Sequence, residues 1–172
     1  PLALLLDKHT MKKLLLTSLL ILSATTPAQA QEVACVSTTW RVVNNDKVCV
    51  QAFHDPDIEG VVCHLSHAKT GGVSGALGFA ENPSNFSLSC RQIGPLKSAK
   101  GIPLKQEKIF TQRMSFLFKD LNVNRLIDRA NNSIVYLVIS EKIIDGSPFN
   151  SISSVPLMPW GTQTPMVLFN NK

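Results

Sequence analysis

FHDPDIEGVVCHLSHAKTGGVSGALGFAENPSNFSLSC, residues 53–90, decides the fold. Asp55-Pro56-Asp57 reads as a turn: Pro56 fixes φ, and Asp55 accepts hydrogen bonds from nearby backbone N–H groups. Val61 to Leu65 alternates, so Cys63 shares a face with Val61 and Leu65. Phe86 to Cys90 alternates likewise, with Cys90 on the face of Phe86 and Leu88. Both sulfurs then point to the core side. A Cys63–Cys90 bridge closes a loop of about 27 residues, which the chain-entropy view values at roughly 3–4 kcal/mol. Between the strands, Lys69-Thr70-Gly71-Gly72 reads as a tight turn that needs positive φ at a glycine.

Upstream, Met11-Lys12-Lys13, the apolar run Leu14 to Leu22 and Ala28-Gln29-Ala30 have the order of a secretory signal peptide cleaved after Ala30. Residues 1–10 read as an upstream artefact of start assignment. The alternative is an uncleaved N-terminal anchor. Cys35 lacks the preceding Leu and small residues of a lipoprotein anchor. The remaining chain, 31–172, has the length of one domain. Removing Lys8, Lys12, Lys13 and Asp7 leaves 14 basic and 11 acidic residues, a net charge of +3. That is well short of a nucleic-acid-binding footprint. No later apolar run is long enough to span a membrane as a helix.

All four cysteines follow the leader, and an even count in an exported chain favours disulfides. Val33 to Val43 and Lys47 to Phe53 suggest a hairpin around Asn44-Asn45-Asp46. With that three-residue loop, Cys49 faces Arg41 and stands about 20 Å along the strand from Cys35. Elimination pairs Cys35 with Cys49, whereas this geometry opposes it. A bent or bulged hairpin, another partner for Cys35, and free thiols all stay open.

The rest is strand-like. Met114, Phe116 and Phe118 alternate with more polar partners, as do Leu121, Val123, Arg125 and Ile127. Arg129 to Asn132 signals a turn. Ile134 to Ile139 is apolar on both faces and reads as a central strand. Val73 to Glu81 is the one short helix candidate, weakened by Gly75 and Gly78. Pro156, Pro159 and Pro165 keep the irregular tail out of central strands. The expected architecture is mainly β, a single-domain antiparallel sandwich or distorted barrel with one short helix; the alternative is α+β.

The order Ala52-Phe53, Asp55-Pro56-Asp57, Cys63, Ala68 to Gly72, Gly75, Leu77-Gly78, Ala80-Glu81, Ser89-Cys90, Gln92 and Gly94-Pro95 resembles the CreA family of small exported bacterial proteins. The resemblance continues through Ser115, Phe118-Lys119, Leu121, Gly146 to Pro148, Asn150, Ile152-Ser153, Val155-Pro156 and Met158-Pro159-Trp160. It implies a periplasmic location and a Cys63–Cys90 pair, and it carries no established activity. Cys35, Cys49, His54, His64, His67 and everything after Trp160 look like departures from the family pattern.

The chemistry-bearing residues have bland alternatives. His54, Asp55, Asp57, Glu59, Cys63, His64 and His67 are zinc-type ligands, but His64 and His67 face opposite sides of a strand. No metal or cofactor is therefore expected. Ser66 to Lys69 and Lys69 to Gly71 match S-x-x-K and K-T-G only by sharing Lys69, with no Ser-Asp-Asn. Lys69 to Gly72 lacks the upstream glycine of a phosphate loop. The binding site expected, if there is one, is Asp55, Asp57, Lys69, Thr70, Gly71 and Gly72, suited to a small anionic ligand through backbone N–H groups and Lys69. Trp40, Tyr136 and Trp160 are expected to pack inside. Three functions follow: a non-catalytic accessory or ligand-binding protein, a small hydrolase or sugar-active enzyme using Asp55, Asp57 or Lys69, and a structural partner in an envelope complex.

Overall fold

The computed structural model describes residues 30–38, 46–69, 86–113, 120–141 and 148–170. Ten strands lie in these stretches: β1 (Gln31–Ser37), β2 (Lys47–His54), β3 (Ile58–Lys69), β4 (Phe86–Ser98), β5 (Ile102–Pro103), β6 (Glu107–Arg113), β7 (Asp120–Asp128), β8 (Ser133–Ser140), β9 (Asn150–Pro156) and β10 (Phe169–Asn170). Two antiparallel four-stranded sheets form, in the orders β1-β2-β3-β4 and β6-β7-β8-β9. The described residues contain no helix, so the mainly-β expectation holds over the α+β one. The helix expected at 73–81 and the alternation at 114–119 lie outside the described residues.

The sheets meet where β4 runs beside β9. Leu88 N–H donates to Ser151 Oγ at 3.2 Å and Cys90 N–H to Ser153 Oγ at 2.8 Å. Two hydroxyls thus replace ladder bonds at this seam and satisfy edge N–H groups that would otherwise be orphaned. The result is a distorted open barrel in which register stacks the inward side chains in layers. One layer runs Phe53, Cys63 and Cys90, crosses the seam to Ser153, and continues through Tyr136, Arg125 and Glu107. The next holds Gln51, Leu65, Leu88, Val138, Val123 and Phe110. Phe110 stacks on Phe53 with ring centroids 4.2 Å apart, which ties the two layers across the interior.

The strand faces expected from sequence are present. Cys63, Leu65, Leu88 and Cys90 are all in the core. Alternation in β7 buries Leu121, Val123 and Arg125, and β8 is an interior strand. The turn at 129–132 also forms, with Asn132 at φ 50° and Asp128 accepting from Asn131 N–H at 3.1 Å.

The hairpin reading needs correction. β1 ends at Ser37, opposite Lys47, and Cys35 faces Cys49 directly. That register sets Cys49 against Cys35 and not against Arg41, so the distance objection disappears. Both bridges exist, Cys35–Cys49 and Cys63–Cys90, each with Cα atoms 4.0 Å apart. The tail also differs. Its first part forms β9, an edge strand of the second sheet with Pro156 at the end of the ladder, and the rest returns to β4 and β5: Met166 N–H donates to Leu96 O at 2.8 Å, and β10 pairs in parallel with β5.

β3 carries a bulge between Glu59 and Val61. Gly60 sits there at φ +83°, and a Cβ on it would lie 2.4 Å from Pro95 O. Only glycine fits, because both the dihedral and the approach of Gly94-Pro95 exclude a side chain. Gly60→Ala is expected to lower unfolding free energy by about 2 kcal/mol or more, read as a lower urea midpoint. A variant within about 0.5 kcal/mol of wild type, the range of an innocuous surface change, would contradict this packing.

Candidate functional site

Asp55 opens the β2–β3 connection as a local acceptor. Its Oδ1 takes the N–H groups of Asp57 at 2.9 Å and Ile58 at 3.1 Å. This is the turn chemistry the sequence suggests, but it is only half of what the carboxylate does. The same Oδ1 accepts from Arg125 Nη1, and Oδ2 accepts from the Tyr136 hydroxyl at 2.8 Å. Both side chains of the Asp55–Arg125 pair are essentially out of water, at 0% and 1% exposed. Arg125 Nη2 also holds Asp57 Oδ2 at 3.0 Å and the Glu107 carboxylate. Lys100 Nζ closes the outer side on Asp57 Oδ1 at 2.6 Å. The cluster joins the β2–β3 turn to β6, β7 and β8, and so clasps one sheet to the other.

The electrostatics make this a locked network. Burial raises the Asp57 carboxyl, but hydrogen bonds from Lys100 and Arg125 outweigh it and hold the group below its ordinary value. Burial, then the Asp55 charge, pushes the Tyr136 phenol up, so it remains a donor and cannot serve as a base near neutrality. Three carboxylates face two cations, a net charge of −1 that repels an anionic ligand.

Lys69 lies elsewhere. It closes the twelve-residue β3, whose first residue follows Asp57, so the two are separated by on the order of 35–40 Å of strand. The structure therefore does not bring Lys69 together with Asp55 and Asp57. Lys69 Nζ instead pairs with Glu32 Oε2 at 3.2 Å. Thr70, Gly71 and Gly72 lie outside the described residues.

The histidines do not converge either. His54 Nδ1 contacts Val61 O at 3.2 Å, His64 is on the outward face, and His67 is buried on the inward one. Burial, then the Lys69 charge, pushes His67 down to about 4 despite Glu32, so its imidazole is neutral at physiological pH.

Sequence reasoning missed Arg125, Tyr136, Glu107 and Lys100. The legible signal was Arg125 itself, a charge at an inward position of an alternating strand, which demands a buried counter-charge. Tyr136 is packed as expected. Trp160 is not: it is 45% exposed at the end of a tight hairpin in which Trp160 and Gln163 exchange backbone hydrogen bonds. Trp40 lies outside the described residues. Met158, Met166 and Leu168 are also more than half exposed. Beside them, the tail and the β7–β8 turn enclose two adjoining shallow depressions of ≈ 270 and ≈ 210 Å³, lined by Ile127, Arg129, Asn132, Leu157, Pro165, Val167 and Phe169. Neither depression includes Asp55, Asp57 or Lys69.

The architecture is thus that of a disulfide-stapled, mainly-β open barrel with a buried ionic clasp. The chain belongs to the CreA family, described as CreA protein, whose profile matches residues 33–160. It is 41% identical over 152 residues to Protein CreA of Escherichia coli strain K12, covering 86% of this chain and 97% of that protein. The same identity and coverage hold for Protein CreA of Escherichia coli O157:H7. No solved structure matches the chain.

Proposed function

We propose that this protein is an exported, periplasmic, non-catalytic accessory protein that acts by binding another envelope protein through the exposed apolar residues of its tail. The observation that carries this reading is the commitment of the acid–base groups. Both Asp55 oxygens, both Asp57 oxygens and the Arg125 nitrogens Nη1 and Nη2 are engaged with one another or with Glu107, Tyr136 and Lys100. A general acid or base must be free to exchange a proton with a substrate, and these groups stand in structural pairs instead. That weighs against the hydrolase or sugar-active alternative built on Asp55, Asp57 or Lys69.

Met158, Trp160, Met166 and Leu168 supply what a docking surface needs, exposed side chains rich in Met and Trp. The test is a photo-crosslinking residue placed at Trp160, with a second at exposed Ser37 at the end of β1 as control, in cells that export the protein. A discrete adduct of one size from position 160, absent from position 37, is expected. No adduct at 160, or equal labelling at both, would overturn the reading.

A further inference from the structure

The two bridges stand in different surroundings. Cys63 and Cys90 both lie in the core. Cys35 and Cys49 face each other across β1 and β2, with Cys49 fully buried and Cys35 partly exposed. β1 is the outer strand of the first sheet, and among the described residues its ladder partner is β2 alone. Every residue of β1 except Cys35 is exposed, so apolar burial does little to hold it. Its ties among the described residues are one ladder, interrupted by a bulge between Glu32 and Ala34, the Cys35–Cys49 bridge, and the Glu32–Lys69 ion pair. That pair is partly exposed and contributes little. An edge strand with so few buried contacts opens locally at low cost once its covalent tie is gone.

Thiol–disulfide exchange depends on whether a thiolate can reach a sulfur. Of the four cysteines, Cys35 alone is more than slightly exposed. An external thiolate therefore reaches Cys35 Sγ most readily. The Glu32 carboxylate has an oxygen within 4.8 Å of both sulfurs and would repel that anion. Lys69 Nζ, 3.2 Å from Glu32 Oε2, offsets this charge. The approach to Cys35 is thus open in both space and charge.

We propose that Cys35 is a site of thiol–disulfide exchange with an external dithiol, and that opening its bridge releases β1 from β2 while the Cys63–Cys90 bridge stays closed. A thiolate of the dithiol attacks Cys35 Sγ and forms a mixed disulfide. The Cys35–Cys49 bond breaks, and Cys49 leaves as thiolate and takes up a proton. The second thiol of the dithiol loses its proton and attacks its own partner sulfur in the mixed disulfide. Cys35 is released, takes up a proton, and the reductant ends as a disulfide. Two electrons and two protons have then reached the protein. Release of β1 leaves the outer N–H and C=O groups of β2 unpaired, which is the form of edge that accepts another strand. This device is independent of the tail surface and of the clasp.

The test treats the native protein with limiting dithiothreitol, traps thiols over time with N-ethylmaleimide in urea, and maps the labelled peptides. Cys35 and Cys49 should be labelled at least about tenfold faster than Cys63 and Cys90. Equal rates, or earlier opening of the core pair, overturn the proposal. Hydrogen exchange then reads the strand. In protein with only the Cys35–Cys49 bridge open, the amides of β1 and those of β2 paired with them should exchange at least about tenfold faster than in oxidised protein. The amides paired between β3 and β4 should keep their rates. A chain carrying Cys35→Ser and Cys49→Ala, with the core bridge intact, must show the same fast β1 exchange without any reductant. Oxidised wild-type protection of β1 in that variant, or in the reduced protein, sinks the proposal.

Discussion

Arg125→Met is expected to destabilise the protein by about 3–5 kcal/mol, the loss typical when one partner of a buried ion pair is removed. Methionine fills much of the arginine's volume, so the effect is not a cavity. It is the exposure of the Asp55 charge to an interior with no counter-cation. Asp55 has no exposed side-chain surface and would retain only the Tyr136 hydroxyl and two backbone N–H groups. Asp57 and Glu107 would also lose their shared partner. Urea unfolding followed by tryptophan fluorescence gives the number, and an unchanged m-value shows that the loss is in stability. The clasp also sets a direction for acid sensitivity. Because the folded Asp57 carboxyl lies below its ordinary 3.8, its contribution is present above that pH and is lost as pH falls through the folded value.

Loss of the core bridge comes next in size. Cys90→Ala should cost about 2–5 kcal/mol, the usual range for a native disulfide in a small secreted domain. Cys63–Cys90 closes 27 residues and lies in the same inward layer as Phe53 and Ser153, beside the seam between the sheets. Its removal loosens the unfolded chain and also leaves a buried Cys63 thiol facing a smaller neighbour. A thermal melt of the variant should fall by roughly 6–20 °C, given that roughly 1 kcal/mol moves a domain of this length by about 3–4 °C. A melt within a degree or two of wild type would show that the barrel does not rely on this staple.

The cysteine positions also show what was legible in the chain. Cys63 and Cys90 were readable because each sits in a strand whose apolar alternation survives on its own. Cys35 and Cys49 were not, because Asn44-Asn45-Asp46 has turn composition and invites a loop there, whereas the observed register sets Cys35 against Cys49. Nothing local to the chain reports the register of the pair. The Asp55 turn was visible for the same reason as Cys63, through residues two and three positions away. Its buried partners were not, since Arg125 is 70 residues on and Tyr136 is 81. Arg125 nevertheless stands where the alternation Leu121, Val123, Arg125 calls for an apolar side chain. A charge in such a place is a sequence-level sign of a buried ion pair. The apparent kinship of Lys69 with Asp55 and Asp57 came from closeness along the chain, and an extended strand turns that closeness into distance. The tail shows a different limit. Prolines keep it from the central strands, but composition alone did not say which of its apolar residues face water.

The central claim is that the Asp55–Arg125 cluster holds the fold and is not a reactive centre. A double-mutant cycle on Asp55→Asn and Arg125→Met, measured by urea unfolding, tests it most directly. The account predicts that each single change costs several kcal/mol and that the pair costs less than their sum by about 2 kcal/mol or more, within the range of directly contacting residues. Single variants within about 0.5 kcal/mol of wild type, the scatter of neutral surface changes, would contradict it. The two carboxylates and the guanidinium would then be free of a structural duty, and the catalytic reading of Asp55 and Asp57 would return.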